Sequence, residues 1–227
     1  MPSTGDICPA GSAHQPQQSS LESVRSRDII ETAMEITPTE VRESFSEEIW
    51  PWSSEALLAK MTEHAHHGAK RVRLVVSSPG GQVVSTMTLF TKLTEAPIEL
   101  VTHAMGEIAS MGVVLFLAGD TRLAYPEATF LVHPIASTDT GVPMNADAWR
   151  RARTRFERRD DQSRVVEISE RISYLDEKER EVRQIFEERT KLTNPEITEL
   201  VRKGQTISAT EALAMGIVHE IIPASRS

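Results

Sequence analysis

Residues 106–112 read Gly-Glu-Ile-Ala-Ser-Met-Gly, and the apolar run Met-Gly-Val-Val-Leu-Phe-Leu-Ala at 111–118 begins immediately after the serine. This pattern predicts that Ser110 stands at the first turn of a buried helix. The first N–H groups of a helix have no partner within it and carry partial positive charge. Ser110 is therefore a candidate nucleophile, and the N–H of Met111 could stabilise an oxyanion formed on a carbonyl that the serine attacks.

Two flanking stretches supply the other groups that this chemistry needs. The strand predicted at 71–77 is followed by Ser-Pro-Gly-Gly at 78–81, where glycine lets a backbone N–H come close to a substrate. A second oxyanion donor is therefore expected in this loop. Leu-Val-His-Pro at 131–134 places His133 at the end of a predicted strand, where its side chain can face a cleft and accept the serine proton.

His103 is a rival base, because it lies seven residues before Ser110. It belongs to the strand predicted over 98–103 and precedes the serine turn by most of a strand length, which favours a packed or surface histidine. Ile108 stands where the nucleophile turn of an α/β-hydrolase has its first glycine, so that fold is not expected.

The order of Ser-Pro-Gly-Gly, Ala-Ser-Met-Gly and Val-His-Pro resembles the proteolytic subunit of the Clp protease, and the chain is identified as a divergent member of that family. The likeness covers roughly residues 41–222, since Ser-Ala at 208–209, Glu-Ala at 211–212 and Gly-Ile at 216–217 continue it. It implies an α/β fold of the Clp/crotonase type, a spiral of β-β-α repeats with a long protruding handle helix. The implied site consists of the nucleophile Ser110, the base His133 and the oxyanion-hole N–H groups of Gly81 and Met111.

The chain departs from the family at the third member of the catalytic triad. The family places its aspartate four residues before the serine–alanine pair, and that position is Gly204. A triad acid holds the histidine tautomer and stabilises the imidazolium, and its replacement has cost about 10⁴ in turnover. Asp139, Glu199 or Glu220 could substitute, or a backbone carbonyl could orient His133, and the sequence does not choose among them.

The amino-acid composition distinguishes an N-terminal tail from the domain that follows it. Residues 1–27 are rich in Ser, Pro and Gln and contain no aromatic residue, which predicts a disordered tail. The Clp-protease-like domain is expected over 28–227.

A charged segment from Ala146 to about Thr190 has almost no Gly or Pro and predicts helix. Its apolar stripe is narrow and indicates a partner helix. The resemblance implies a handle helix that interdigitates between two stacked rings. The 71-residue interval from His133 to Gly204 is longer than expected for the family, so an extended helical insertion is predicted over about 144–192.

Charge and motif content exclude several classes of function. The formal net charge of −8 argues against a nucleic-acid partner, and the only cysteine, Cys8, excludes an internal disulfide. No apolar run is long enough to span a membrane and no secretory signal is visible, so a cytoplasmic protein is expected. Because no Cys or carboxylate pair completes a site around the histidines at 64, 66 and 67, no metal is predicted. The resemblance implies no cofactor, and because there is no Walker-type phosphate loop, ATP hydrolysis is expected to belong to a partner.

The leading hypothesis is a serine endopeptidase that cleaves peptides or unfolded proteins inside a homo-oligomeric chamber of stacked rings, served by an AAA+ ATPase unfoldase. One alternative is a catalytically weak or inactive subunit with an assembly or regulatory role, since position 204 is glycine. Another is a crotonase-type enzyme that acts on acyl thioesters, because paired backbone donors also suit a thioester enolate.

Overall fold

A five-stranded parallel sheet lies at the centre of the computed structural model, which describes residues 40–138 and 141–223. The tail predicted at 1–27 lies outside the described residues. The strands are β1 (Glu40–Phe45), β2 (Arg71–Val76), β3 (Glu99–Ala104), β4 (Glu107–Ala109), β5 (Thr121–Ala124), β6 (Thr129–Leu131), β7 (Ala136–Ser137), β8 (Met144–Asn145), β9 (Thr206–Ser208) and β10 (Glu220–Ile221). The helices are α1 (Pro51–His66), α2 (Val83–Thr94), α3 (Met111–Leu117), α4 (Ala146–Glu157), α5 (Gln162–Arg189), α6 (Asn194–Lys203) and α7 (Ala209–Ala214).

The central sheet has the strand order β1-β2-β3-β5-β10, and each neighbouring pair is parallel. Strand β2 buries Val72, Leu74 and Val76 on one face, as the alternation in its sequence predicts. Strand β3, between β2 and β5, is buried from Leu100 to Ala104 on both faces. Parallel neighbours need crossover connections, and α1, α2 and α3 lie in those connections. The predicted α/β class is therefore confirmed.

The other five strands form two smaller sheets. In the first, β4 and β6 are parallel and β9 joins β6 antiparallel; in the second, β7 and β8 form an antiparallel pair. The sheet of β4, β6 and β9 is the one that carries the candidate catalytic residues.

The predicted helix after Ser110 is confirmed as α3, and all seven of its residues are buried. Strand β1 ends at Phe45, and Ile49 beyond it forms a single bridge to Gly81. In the described part of the chain, no helix is both long enough and apolar enough to cross a membrane.

The helical segment predicted from Ala146 to about Thr190 forms two helices, because the chain turns between α4 and α5. Asp160 adopts a left-handed backbone with φ +56°. Asp161 then caps α5 by accepting a hydrogen bond from the Arg164 N–H at 3.2 Å. Asp tolerates the left-handed region and caps helices well, so two aspartates make this turn without Gly or Pro.

Helix α4 supplies the partner that the apolar stripe of α5 requires. Their packed side chains form a separate hydrophobic cluster of Ala146, Trp149, Ile168, Ile172 and Leu175. The Arg171 guanidinium lies 4.9 Å from the centre of the Trp149 ring, and Arg150 pairs with Asp176 at 2.5 Å. The helix covering this part of the stripe therefore comes from the same chain.

Candidate active site

The sheet of β4, β6 and β9 brings three sequence-predicted positions to one edge. Ala109 at the end of β4 pairs with Leu131 at the end of the parallel strand β6, so Ser110 and His133 both follow the carboxyl ends of adjacent strands. The first residue of β9 also pairs with Leu131. Because Gly204 lies two residues before β9, it reaches the same edge as Ser110 and His133.

Ser110 joins β4 to α3 through a strained turn. Its φ of 55° and ψ of −128° fall in a region that residues other than glycine rarely adopt. Its N–H donates to the carbonyl of Leu131 at 2.7 Å, and its carbonyl accepts from the Val113 N–H at 3.1 Å. Such strain persists only where the surroundings over-determine it, and it is concentrated at functional sites. The turn therefore holds the Ser110 hydroxyl in a fixed direction at the start of α3.

The glycine loop after β2 packs directly against this turn. A Cβ atom added to Gly80 would lie 2.7 Å from the Ser110 Cβ and 2.9 Å from the Met111 nitrogen. Real Cβ atoms do not approach other atoms so closely, so only glycine fits here. The requirement explains the Ser-Pro-Gly-Gly sequence and places the loop against the start of α3.

The two amides predicted as oxyanion donors belong to these adjoining segments. Met111 is the first residue of α3, so its N–H has no carbonyl to bond within the helix. Among the described residues, none accepts a hydrogen bond from the Gly81 N–H, whereas the next amide, that of Gln82, donates to Ile49 at 2.7 Å. Both predicted donors are therefore available to a substrate oxygen.

His133 is held by its own neighbour in the chain. Its Nδ1 lies 2.9 Å from the carbonyl oxygen of Pro134. Since a carbonyl can only accept, the proton in this contact is on Nδ1, and Nε2 is left as the acceptor. This is the tautomer that a general base requires. A backbone carbonyl, one of the alternatives considered for orienting the histidine, thus contacts the ring.

Ser110 and His133 line the same narrow cavity, whose free volume is about 30 Å³, enough for only a few water molecules. Two charged side chains of α5, Glu179 and Arg183, complete its polar lining. The remaining walls are the apolar side chains of Met111, Val114, Val132, Ile135, Val182, Phe186, Ile197 and Val201. The cavity is therefore narrow and mostly apolar, with its polar groups at Ser110, His133, Glu179 and Arg183.

Position 204 faces His133 but offers no carboxylate. Gly204 ends α6 with φ +58°, and its N–H donates to the Leu200 carbonyl at 3.3 Å. A Cβ atom added there would lie 3.8 Å from the Cβ of His133. The residue that terminates the helix therefore leaves no side chain at this position next to His133.

The other predicted substitutes for the acid do not line the cavity. Glu199 pairs with Arg202 at 2.7 Å on the exposed side of α6, and Glu220 begins β10 in the central sheet. Asp139 lies outside the described residues. Neither Glu199 nor Glu220 is among the residues that line the cavity of Ser110 and His133.

Glu179 is the acidic residue at the cavity that the sequence reasoning missed. It is half-buried, and burial raises the pKa of its carboxyl, as does the negative charge of Asp176. Arg183 and the backbone N–H of Ile135 act in the opposite direction. The sequence contained a signal for this position. In the apolar stripe Val182 follows Leu175 by seven residues, and Glu179 lies four residues after the first and three before the second, which is the spacing of one helix face.

Two arginines lie at the C-terminal end of the serine-bearing helix α3. Arg189, the last residue of α5, donates to the carbonyls at the C-terminus of α3, and the buried Arg122 lies beside it. Burial, together with the charge of Arg189, lowers the pKa of Arg122 to about 10. Cations at a helix C-terminus complement its dipole, so α5 is fixed to α3. The acceptors are the carbonyls of Leu117, Ala118 and Gly119 for Arg189, and those of Gly119, Arg189, Gly216 and Ile217 for Arg122.

His103 and His64 serve packing and surface roles in this structure. His103 is buried in β3, its ring centre 4.1 Å from that of Tyr125, and burial lowers its pKa. His64 pairs with Glu43 at 2.9 Å. Neither lines the Ser110 cavity.

Comparison with known proteins agrees with this geometry. The family model for the Clp protease matches residues 29–159 and 157–225. The chain is 37% identical over 79 residues to the ATP-dependent Clp protease proteolytic subunit 1 of Mycobacterium bovis, a match that covers 34% of this chain and only 40% of that protein. It is 26% identical over 157 residues to proteolytic subunit 2 of Pseudomonas aeruginosa, covering 68% of this chain and 67% of the other.

Among solved structures, a ClpP1 mutant from Listeria monocytogenes superposes with a TM-score of 0.62 at 18% identity, covering 88% of this chain and 97% of that one. At this identity the superposition establishes the fold, and it confirms the predicted Clp/crotonase-type spiral. The family match spans most of the chain, and the low identities fit a divergent member. This chain belongs to the Clp protease family.

Proposed function

We propose that the protein is a serine-type endopeptidase in which Ser110 is the nucleophile and His133 the base. The Ser110 Oγ attacks the peptide carbonyl carbon while its proton passes to Nε2 of His133. The N–H groups of Gly81 and Met111 then stabilise the oxyanion. One observation carries the proposal: a serine in a strained turn at the start of a buried helix shares a cavity with a histidine whose tautomer leaves Nε2 as acceptor.

The second half of the reaction uses the same groups. His133, protonated in the first step, gives its proton to the leaving amine as the C–N bond breaks. It then takes a proton from the water that attacks the Ser110 ester, and it returns this proton to the Ser110 Oγ as the acyl product leaves. No cofactor is needed for either half.

We further propose that the protein works in the cytoplasm as a homo-oligomer of stacked rings, with an AAA+ ATPase unfoldase that delivers peptides or unfolded proteins. Family membership supports this assembly. The net charge of −8 supports a protein rather than a nucleic acid as substrate. Because α4 packs along the N-terminal half of α5, the ring-to-ring surface of this protein would be a two-helix hairpin rather than a single helix.

Covalent labelling with a fluorophosphonate probe tests the proposal directly. We expect the probe to modify Ser110 in the assembled wild-type protein, as located by mass spectrometry. Labelling should disappear in Ser110→Ala and in His133→Ala. If the assembled wild type is not labelled, the peptidase proposal fails.

The second candidate function is that of a catalytically weak or inactive subunit with an assembly or regulatory role. The absence of a side chain at Gly204, which faces His133, favours it. Under this hypothesis Ser110 stays unlabelled, while the protein still assembles with itself or with an active relative, as size-exclusion chromatography would show.

A further inference from the structure

A second and larger cavity, here called the arginine cavity, adjoins the Ser110 cavity. Its volume is about 370 Å³, against about 30 Å³ for the Ser110 cavity. Glu179, Arg183 and Val201 line both cavities, and Pro134, the residue after the proposed base, lines the larger one. The arginine cavity therefore begins within one side-chain length of the proposed catalytic groups.

Arginine is the most frequent residue type in the lining of the larger cavity. Two carboxylates, those of Asp147 and Glu179, also line it. Since the whole chain has a formal net charge of −8, this concentration of guanidinium groups is local. Such a cavity favours a negatively charged ligand. The four arginines are Arg150, Arg151, Arg183 and Arg202.

Two of the four arginines already have carboxylate partners within the chain. Arg150 pairs with Asp147 at 2.7 Å and with Asp176 at 2.5 Å. Arg202 pairs with Glu199 at 2.7 Å. The charges of these two side chains are therefore compensated without a ligand.

Arg183 and Arg151 have no such compensation. The half-buried Arg183 donates from Nη1 to two neutral oxygens, Asn194 Oδ1 at 3.2 Å and Thr198 Oγ1 at 2.5 Å. Among the described residues, none accepts a hydrogen bond from Nε or Nη2 of Arg183, and no carboxylate forms an ion pair with Arg183 or with the exposed Arg151. The Nε–Nη2 edge of a guanidinium can bind both oxygens of a carboxylate in parallel. This edge of Arg183 is therefore available for an anionic ligand.

The acidic residues of the lining do not compete strongly for that edge. Asp147 is bound to Arg150. Burial and the negative charge of Asp176 raise the pKa of Glu179, against the effect of Arg183. Glu179 therefore holds its negative charge less firmly than an ordinary carboxylate.

A peptide bound for cleavage at Ser110 can reach the arginine cavity. An extended chain advances about 3.4 Å per residue, so about two or three residues cover the length of a side chain that lines both cavities. The anionic groups of an unmodified peptide are the carboxylates of Asp, Glu and the C-terminus. A carboxylate is thus the ligand that the proposed reaction itself brings to Arg183 and Arg151.

We propose that the arginine cavity is a substrate subsite in which Arg183 and Arg151 bind a carboxylate of the peptide a few residues from the bond that Ser110 attacks. The inference rests on the proposed function, since it names the substrate class of the same site. The preferred substrates are peptides that carry a carboxylate close to the point of cleavage.

Four variants of the arginines test this role. Arg151→Gln removes the charge of a residue that lines the arginine cavity and not the Ser110 cavity, and Arg151→Glu reverses it. Arg155→Gln is the matched control, because Arg155 is exposed one turn further along α4 and lines neither cavity. Arg183→Gln removes the Nε–Nη2 edge, and its effect is read from peptide binding because Arg183 also lines the Ser110 cavity.

The substrates are internally quenched peptides with blocked ends, in which a single Glu is moved through an otherwise uncharged sequence. A second series has Gln in place of Glu, and one uncharged peptide keeps a free C-terminal carboxylate. In at least one register we expect kcat/KM to be about tenfold higher for Glu than for Gln, the lower limit for a hydrogen bond to a charged group. A preference confined to the peptide with the free C-terminus would assign the cavity to the end of the substrate chain.

The variants should change this preference without changing the chemistry at Ser110. Arg151→Gln should lower it about threefold, because Arg151 is exposed, and Arg151→Glu should abolish it. Arg155→Gln should match wild type. All three should react with the fluorophosphonate at the wild-type rate, which shows that the fold and the serine are intact.

Binding of dye-labelled peptides to assembled protein with Ser110→Ala, followed by fluorescence anisotropy, gives a readout that needs no turnover. The Glu peptide should bind about tenfold more tightly than the Gln peptide, and adding Arg183→Gln should remove this difference.

The outcomes separate the subsite from the proposed function. Equal kcat/KM for Glu and Gln in every register, with no preference for the free C-terminus, overturns the subsite while leaving the peptidase in place. Equal losses of preference in Arg151→Gln and Arg155→Gln also overturn it, because net charge rather than the cavity would then be responsible. Tighter binding of the Glu peptide that Arg183→Gln removes, alongside an unlabelled wild type, refutes the peptidase and supports the carboxylate site.

Discussion

Replacing Gly204 by aspartate should return a carboxylate to His133 and raise the rate of peptide hydrolysis. The direction follows from the backbone, since a Cβ atom at position 204 would lie 3.8 Å from the Cβ of His133. A carboxylate one bond further along can reach the imidazole. The backbone there has φ +58° and ψ +36°, a left-handed conformation that Asn and Asp tolerate better than other residues with side chains.

The size of the gain follows from what the new carboxylate replaces. Loss of a triad acid has cost about 10⁴, or about 5.4 kcal/mol at 1.36 kcal/mol per tenfold change in rate. Nδ1 of His133 already has the Pro134 carbonyl as a partner at 2.9 Å, so only part of this is recoverable. A hydrogen bond to a charged group exceeds a neutral one by about 1–2 kcal/mol, which predicts a gain of about five- to thirtyfold in kcat. The left-handed backbone should cost the fold about 1 kcal/mol.

The assay is hydrolysis of a fluorogenic peptide by assembled protein, with the free energy of unfolding measured in parallel by urea titration. Gly204→Asn is the matched control, because it has the same backbone cost and no charge. Gly204→Ala reports the backbone cost without a polar group. If Gly204→Asp is no faster than Gly204→Asn, the inference that position 204 is the vacant place of a triad acid is refuted.

Three further predictions concern the supports of the site. Gly80→Ala would place a Cβ 2.7 Å from that of Ser110, so Ser110 labelling should fall at least a hundredfold and the melting temperature should drop. Arg189→Ala removes the donor to three carbonyls at the C-terminus of α3 and should cost about 2–3 kcal/mol in urea unfolding, whereas Arg202→Ala, on an exposed pair, should change little. Burial lowers the pKa of His103, so as the pH drops below about 6.5 the unfolded chain binds a proton that the folded chain does not bind. The free energy of unfolding therefore decreases as the pH drops, by up to about 1.4 kcal/mol per pH unit. His103→Phe should flatten this part of the pH–stability curve.

The parts of the fold that follow from local pattern could be predicted. The alternation at Val72, Leu74 and Val76 predicted β2, and the glycines after it predicted the loop that packs on Ser110. The apolar run after Ser110 predicted α3. In each case a residue's neighbours within about ten positions were enough, because strand alternation and helix starts are local properties.

The hairpin of α4 and α5 shows where local pattern stops being sufficient. Nothing in the segment from 158 to 161 is a Gly or Pro, and the charged residues on both sides favour helix. The turn forms because burying Trp149 against Ile168 and Ile172 stabilises two packed helices over one long helix with an exposed stripe. That gain depends on contacts between distant residues, so helix propensity alone did not locate the turn.

The third member of the site was beyond sequence reasoning for a related reason. Gly204 has a sufficient local function, since it ends α6 in a left-handed turn and donates to Leu200, and glycine at such a position carries no information about His133. Side chains that could restrain the base come from any element that folds against it. The charged residues of α5 that line the cavity, Glu179 and Arg183, belong to a helix that begins some thirty residues after His133 in the chain, so no pattern local to His133 predicts them.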